Sequence, residues 1–175
     1  IPTAGNKEDY TAYIDEAQRT FRDLGFEIEV LDIASCDRET AQAKIFQSKI
    51  LYISGGNTFY LLQELKKKQL LSLIKEQIRD GLIYVGESAG AIITAKDVDY
   101  NKLMDDKTVA KELSDTTGLN EVEFYILPHY GEEPFTDSSK KTFETYKNQL
   151  DLMRMNNSQA VIVNDKEIKV VSEQD

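Results

Sequence analysis

Ser88 lies in Gly86-Glu87-Ser88-Ala89-Gly90, directly after the apolar run Leu82-Ile83-Tyr84-Val85 and at the head of the small-residue stretch Ala89-Gly90-Ala91-Ile92. A strand, a sharp turn and a helix start, in that order, make the G-x-S-x-G pattern a nucleophile elbow. The serine occupies a strained turn, and glycines on either side let neighbouring backbones approach it. Its hydroxyl then projects at the C-terminal edge of a sheet, where open α/β folds place their ligands. The Ala89 N–H, at the helix N-terminus, is the natural first oxyanion donor. A serine hydroxyl is a weak nucleophile until a positioned base takes its proton, and neutral imidazole suits that task near pH 7. The chain has one histidine, His129, just past the apolar run Phe124-Tyr125-Ile126-Leu127. Ser88 and His129 are therefore the expected nucleophile and base.

A second glycine turn, Ser54-Gly55-Gly56-Asn57-Thr58-Phe59, follows another apolar run and opens a helix, with Asn57 or Thr58 as N-cap. Its glycines free backbone N–H groups to face an anion, as a phosphate cradle or the second half of an oxyanion hole; a purely structural tight turn fits equally well. It lacks the Gly-Lys-Ser/Thr of a P-loop and the G-x-G-x-x-G spacing of a dinucleotide site. One Cys, one His and scattered acids supply no metal-ligand spacing, so neither a metal nor a cofactor is expected.

The elements that must position these residues alternate between strand-like and helical patterns. Strands are expected at 28–33, 50–53, 82–85, 122–127 and 160–163, with 168–171 hairpinned onto the last. Helices are expected over 8–24, 38–47, 57–80 with a break around Lys68, and 137–154. In the first, Tyr10, Tyr13, Ile14, Ala17, Phe21 and Leu24 share a face, and Gly25 is the closing residue. The runs 50–53 and 82–85 are nearly all apolar, as in central parallel strands covered on both faces. Such alternation predicts an α/β fold, a doubly wound, mostly parallel sheet with helices on both faces. The opening Ile1-Pro2-Thr3-Ala4 reads as the end of a buried strand. The expectation is one domain over 1–175, N-terminally incomplete, with a first strand and helix missing.

Composition bounds the function class. The 175 residues carry 21 basic and 31 acidic side chains, a net charge of −10, with 41% hydrophobic and 30% charged residues. That is ample for a core and contrary to the basic face of a nucleic-acid binder. No apolar run reaches the roughly 18 residues of a membrane helix. The lone Cys36 excludes an intramolecular disulfide and fits a reducing cytoplasm.

Three segments, Gly55-Gly56-Asn57-Thr58-Phe59-Tyr60-Leu61-Leu62, Gly86-Glu87-Ser88-Ala89-Gly90-Ala91 and Leu127-Pro128-His129-Tyr130, resemble the peptidase E family of serine aspartyl dipeptidases, related to cyanophycinase and class I glutamine amidotransferases. The resemblance spans essentially the whole chain and implies a class I glutamine amidotransferase-like sheet. By that likeness Ser88 is the nucleophile, His129 the base, and Gly56 and Ala89 the oxyanion-hole donors. It offers two places for the group that orients the imidazole. One is Asp105, with Asp106 beside it. The other falls near Asn156-Asn157-Ser158, where Asn157 would serve as a neutral acceptor. The family's substrate-binding arginine has no counterpart in Thr136-Asp137-Ser138-Ser139-Lys140-Lys141, leaving Lys140 as a point charge. Glu132 and Glu133 would attract a free amino group if they face the cleft.

The expected activity is hydrolysis of short peptides, Asp-X dipeptides among them, with a small peptide as partner, a homodimer left open, and no nucleic acid or membrane. The alternatives are a catalytically impaired module that binds an amino acid or small anion on the same fold, and an α/β-hydrolase-type esterase. The short chain and the missing HGGG loop count against the esterase.

Overall fold

The computed structural model describes residues 1–173 of the chain. Helices α1 (Ala12–Asp23), α2 (Arg38–Gln47), α3 (Thr58–Lys67), α4 (Leu71–Arg79), α5 (Ala89–Ile92) and α6 (Thr136–Tyr146) alternate with strands β1 (Ile50–Ile53), β2 (Ile83–Gly86), β3 (Tyr125–Leu127), β4 (Leu152–Arg154), β5 (Gln159–Asn164) and β6 (Glu167–Ser172). Three 3-10 turns, at Thr3–Lys7, Asp99–Leu103 and Lys107–Val109, complete the order.

Strands β1 and β2 pair in parallel, Ile50 with Ile83 through Ile53 with Gly86. Strands β3 and β4 also pair in parallel, Tyr125 with Leu152 through Leu127 with Arg154. A parallel pair needs a long crossover, supplied here by α3 with α4 and by α6. Strands β5 and β6 form the expected antiparallel hairpin. Among the described residues the ladders thus make three two-stranded sheets. Phe59, Leu61, Leu62 and Leu65 of α3, Ile74 of α4, Ile53 of β1 and Ile92 of α5 are fully or almost fully buried in one cluster. A smaller cluster joins Phe124 and Ile126, at and in β3, to Met155, just after β4.

Local chemistry explains the boundaries. Asp37 caps α2 by accepting from the Thr40 N–H, and Asn57 caps α3 by accepting from the Tyr60 N–H. Gly25, at φ +87°, closes α1: its N–H reaches the Arg22 carbonyl and the next N–H, of Phe26, reaches Phe21. The long helix expected over 57–80 breaks as read. Gln69 turns to φ +55° and drops Leu70 into the core, where it is fully buried. Among the described residues no helix is long and apolar enough to cross a membrane.

Several expectations change. Residues 28–33 are not a strand: residues 26–32 have no ladder partner, and the Ile33 N–H donates to the Thr3 hydroxyl. The run 122–127 is ladder-paired only over Tyr125–Leu127. The helix expected over 137–154 stops at Tyr146, and its last residues become β4. The first helix begins at Ala12, and two residues assigned to its inner face, Tyr10 and Leu24, are 71% and 68% exposed. Nor is β2 covered on both faces, since Ile83 is 58% exposed. Residues 1–4, expected as the end of a strand, carry no ladder, and Thr3–Lys7 is a 3-10 turn. The segment is tied to β1 and its following turn by the Ile1 amino group on the Tyr52 carbonyl, the Ser54 N–H on the Ile1 carbonyl and the Asn57 N–H on the Ala4 carbonyl.

Candidate active site

The elbow is built by close backbone contact. A Cβ on Gly86 would stand 2.5 Å from the Gly90 carbonyl, and one on Gly90 would stand 2.2 Å from the Ile53 carbonyl oxygen. Strand β2 can turn directly into α5 against the end of β1 only because both positions lack side chains. The turn forces Ser88 to φ +46°, ψ −105°, a conformation that a non-glycine residue holds only under tertiary constraint. Two tyrosines brace it. Tyr84 Oη donates to the Gly90 carbonyl at 2.6 Å, and Tyr52 Oη donates to the Glu87 carboxylate.

His129 also sits in the left-handed region, at φ +55°, two residues past the end of β3. Its ring stacks on Phe135 with centroids 4.8 Å apart. His129 Nε2 lies 3.0 Å from Ser88 Oγ, and His129 Nδ1 lies 2.7 Å from Asn157 Oδ1. An amide oxygen only accepts, so Nδ1 carries the proton and Nε2 is free to receive the one on Ser88. Ser88, His129 and Asn157 are thus in contact in the order that a nucleophile, a base and an orienting acceptor would require.

Asp105 is elsewhere. Its Oδ2 accepts from the Thr58 N–H at 2.8 Å, at the first turn of α3, while Asn57 Nδ2 donates to the Asp106 carbonyl at 3.0 Å. These bonds clamp the segment around Asp105 to the second glycine turn. Burial pushes the Asp105 carboxyl above the usual carboxylate range, against the opposing pull of the Thr58 donors and the field of His129. Asp105 therefore faces the imidazole through space and not through its Nδ1 hydrogen bond.

The glycine turn lies beside Ser88. A Cβ on Gly55 would lie 3.3 Å from Ser88 Cβ. Gly56, at φ +124°, packs so closely on residues 4 and 5 that a Cβ would come within 2.3 Å of the Ala4 carbonyl carbon. Among the described residues, neither the Gly56 nor the Ala89 N–H makes a backbone hydrogen bond. Both are free to meet a developing negative charge.

The mouth of the site carries features that the helical pattern concealed. Tyr13, assigned only to a helix face, donates to the Gly55 carbonyl at 3.3 Å. Its phenol is pushed up to about 12 by burial and by the carboxylates of Glu8, Glu87 and Asp105. Phe135 and Tyr52 were legible only as apolar or strand residues. Lys140 and Glu133 are exposed, and the Glu132 N–H closes a turn onto the His129 carbonyl. Among the described residues none of these three side chains hydrogen-bonds to Ser88 or His129, whose side-chain bonds are to each other and to Asn157. Cys36 Sγ faces the Ile33 carbonyl at 3.9 Å, and burial raises its thiol. Among the described residues no group of three or more His, Cys, Asp or Glu is placed to hold a metal ion.

Residues 1–171 match the model of peptidase family S51. The chain belongs to that family. It is 41% identical over 171 residues to the "Uncharacterized peptidase PM1590" of Pasteurella multocida (strain Pm70), covering 98% of this chain and 82% of that one. It is 30% identical over 130 residues to "Peptidase E" of Nostoc sp. (strain PCC 7120), covering 74% of this chain and half of that one. A crystal structure of a Listeria monocytogenes EGD-e protein, provisionally described as peptidase E, matches with TM-score 0.93 at 35% identity, over 98% of this chain and 83% of that one. S51 membership makes the chain a peptidase by family.

Proposed function

We propose that this S51 member is a serine peptidase of short peptides, Asp-X dipeptides among them, working through Ser88 and His129. One observation carries the reading: Ser88 Oγ stands 3.0 Å from His129 Nε2, while Asn157 Oδ1 holds the opposite ring nitrogen at 2.7 Å. His129 takes the Ser88 proton as Oγ attacks the scissile carbonyl carbon. The oxyanion so formed is met by the Gly56 and Ala89 N–H groups. As the tetrahedral intermediate collapses, His129 gives its proton to the leaving amine. Water, deprotonated by the same imidazole, then cleaves the acyl-enzyme and restores the Ser88 hydroxyl. Asn157 fixes the tautomer as a neutral acceptor, and the Asp105 carboxylate adds a remote field that favours the imidazolium. The helix-linked parallel pairs β1–β2 and β3–β4 fit halves of one doubly wound sheet of the class I glutamine amidotransferase type.

A fluorophosphonate probe tests the assignment. Wild-type protein labels stoichiometrically at Ser88 and hydrolyses short peptides, while Ser88→Ala does neither and melts at the same temperature. Retained hydrolysis in Ser88→Ala overturns the reading. The neutral Asn157 in place of a carboxylate favours one second reading, an impaired site that binds small ligands without cleaving them. An unlabelled Ser88 in folded wild-type protein selects it.

A further inference from the structure

Arg154 is the last residue of β4, and its Cα is the register partner of Leu127, two residues before His129. Its exposed guanidinium is gripped by two rings, 4.6 Å from the centre of Phe143 and 5.2 Å from the centre of Tyr130. The rings meet edge to face at 5.7 Å, and Tyr130 is fixed by its own N–H, which donates to the Met155 carbonyl at 2.9 Å. No carboxylate comes within ion-pair distance of Arg154 among the described residues. The result is a planar cation with restricted motion, unused donors, and a place beside the residue that follows the base.

We propose that Arg154 receives the C-terminal carboxylate of the peptide being cleaved; this rests on the Ser88–His129 reading. The imidazole that takes the Ser88 proton returns it to the leaving amine, so the leaving residue lies against His129. In a dipeptide that residue also carries the free α-carboxylate, one carbon away from the amine nitrogen. The Arg154 guanidinium lies over the ring of Tyr130, the residue that follows His129. A guanidinium fork matches a carboxylate in a bidentate pair. Ring stacking removes rotamer freedom that a free arginine would lose on binding. Such a clamp favours peptides whose chain ends one residue beyond the scissile bond.

The test compares Asp-Leu, its C-terminal amide, and Asn-Leu, in wild-type protein, Arg154→Gln and Arg154→Lys. Hydrolysis gives kcat and KM separately, and calorimetric binding to the same variants in a Ser88→Ala background gives affinity without turnover. Wild type prefers the free acid over the amide by about 10- to 100-fold, chiefly in KM, the size expected of a charge-assisted pair. Arg154→Gln erases that preference, and Arg154→Lys restores part of it. A folded Arg154→Gln variant that keeps the acid-to-amide ratio overturns the proposal. So does one that loses the distinction between Asp-Leu and Asn-Leu instead, since the carboxylate bound would then be the side chain. Absent hydrolysis with an unlabelled Ser88 marks failure of the catalytic reading. The binding ratio in the Ser88→Ala background still decides the role of Arg154.

Discussion

The Oδ1 of Asn157 lies 2.7 Å from the Nδ1 of His129, across 28 residues of chain, in the place that an acid takes in a Ser-His-Asp triad. A neutral acceptor fixes the tautomer but adds no full charge to balance the imidazolium.

Removing that contact should cost more than removing Asp105. Asn157→Ala is expected to lower kcat/KM by about 10- to 1,000-fold with little change in melting temperature, because Asn157 is exposed and the ring loses only its tether. Asn157→Asp, which keeps the acceptor, is expected to retain activity. Equal kcat/KM in Asn157→Ala and wild type would remove Asn157 from the site.

Asp105 should behave differently. Its folded carboxyl titrates above the ordinary value, so between the unfolded and folded pKa the native state binds more protons than the unfolded one. Its contribution to stability therefore falls as pH rises through that window. Asp105→Asn keeps an acceptor for the Thr58 N–H and removes the titration. In urea melts, the stability of the variant relative to wild type should rise from about pH 4 upward. Its kcat should drop less than that of Asn157→Ala, since a remote field is lost and no hydrogen bond to the ring. The opposite ranking would make Asp105 the orienting group.

The elbow tolerates no added methyl. Gly86→Ala drives a Cβ to 2.5 Å from the Gly90 carbonyl, so β2 and α5 must separate. The expected loss is about 2–4 kcal/mol of stability, with fluorophosphonate labelling lost alongside it. Wild-type stability and labelling in that variant would show that the turn can relax.

Tyr52→Phe leaves the partly buried Glu87 carboxylate without its phenol donor. The expected cost is about 1–3 kcal/mol, read as a lower denaturation midpoint. A smaller loss of kcat should accompany it, because Glu87 immediately precedes the nucleophile. Burial and Glu87 hold the Tyr52 phenol far above its usual range, so spectrophotometric titration of the native protein should find it un-ionised when exposed tyrosines have titrated.

What was legible in the sequence was what local chemistry determines. Gly86 and Gly90 around Ser88, after four apolar residues, define the elbow because strand, turn and helix start follow one another directly and Gly86 packs on Gly90 within that unit. The cap at Asn57 and the hairpin of β5 with β6 are likewise encoded by residues a few positions apart. The single histidine made the choice of base a matter of counting. Tertiary structure alone decided what depends on distant pairing. Residues 152–154 carry no readable strand period, and they become β4 because β3 offers them a parallel ladder some 27 positions away. Residues 28–33 look like a strand but find no ladder partner. The choice between Asp105 and Asn157 could not be read from spacing, since both lie far from His129 in sequence. It was made by where β4 ends, which brings Asn157 onto Nδ1, and by the first turn of α3, whose Thr58 N–H takes the Asp105 carboxylate instead.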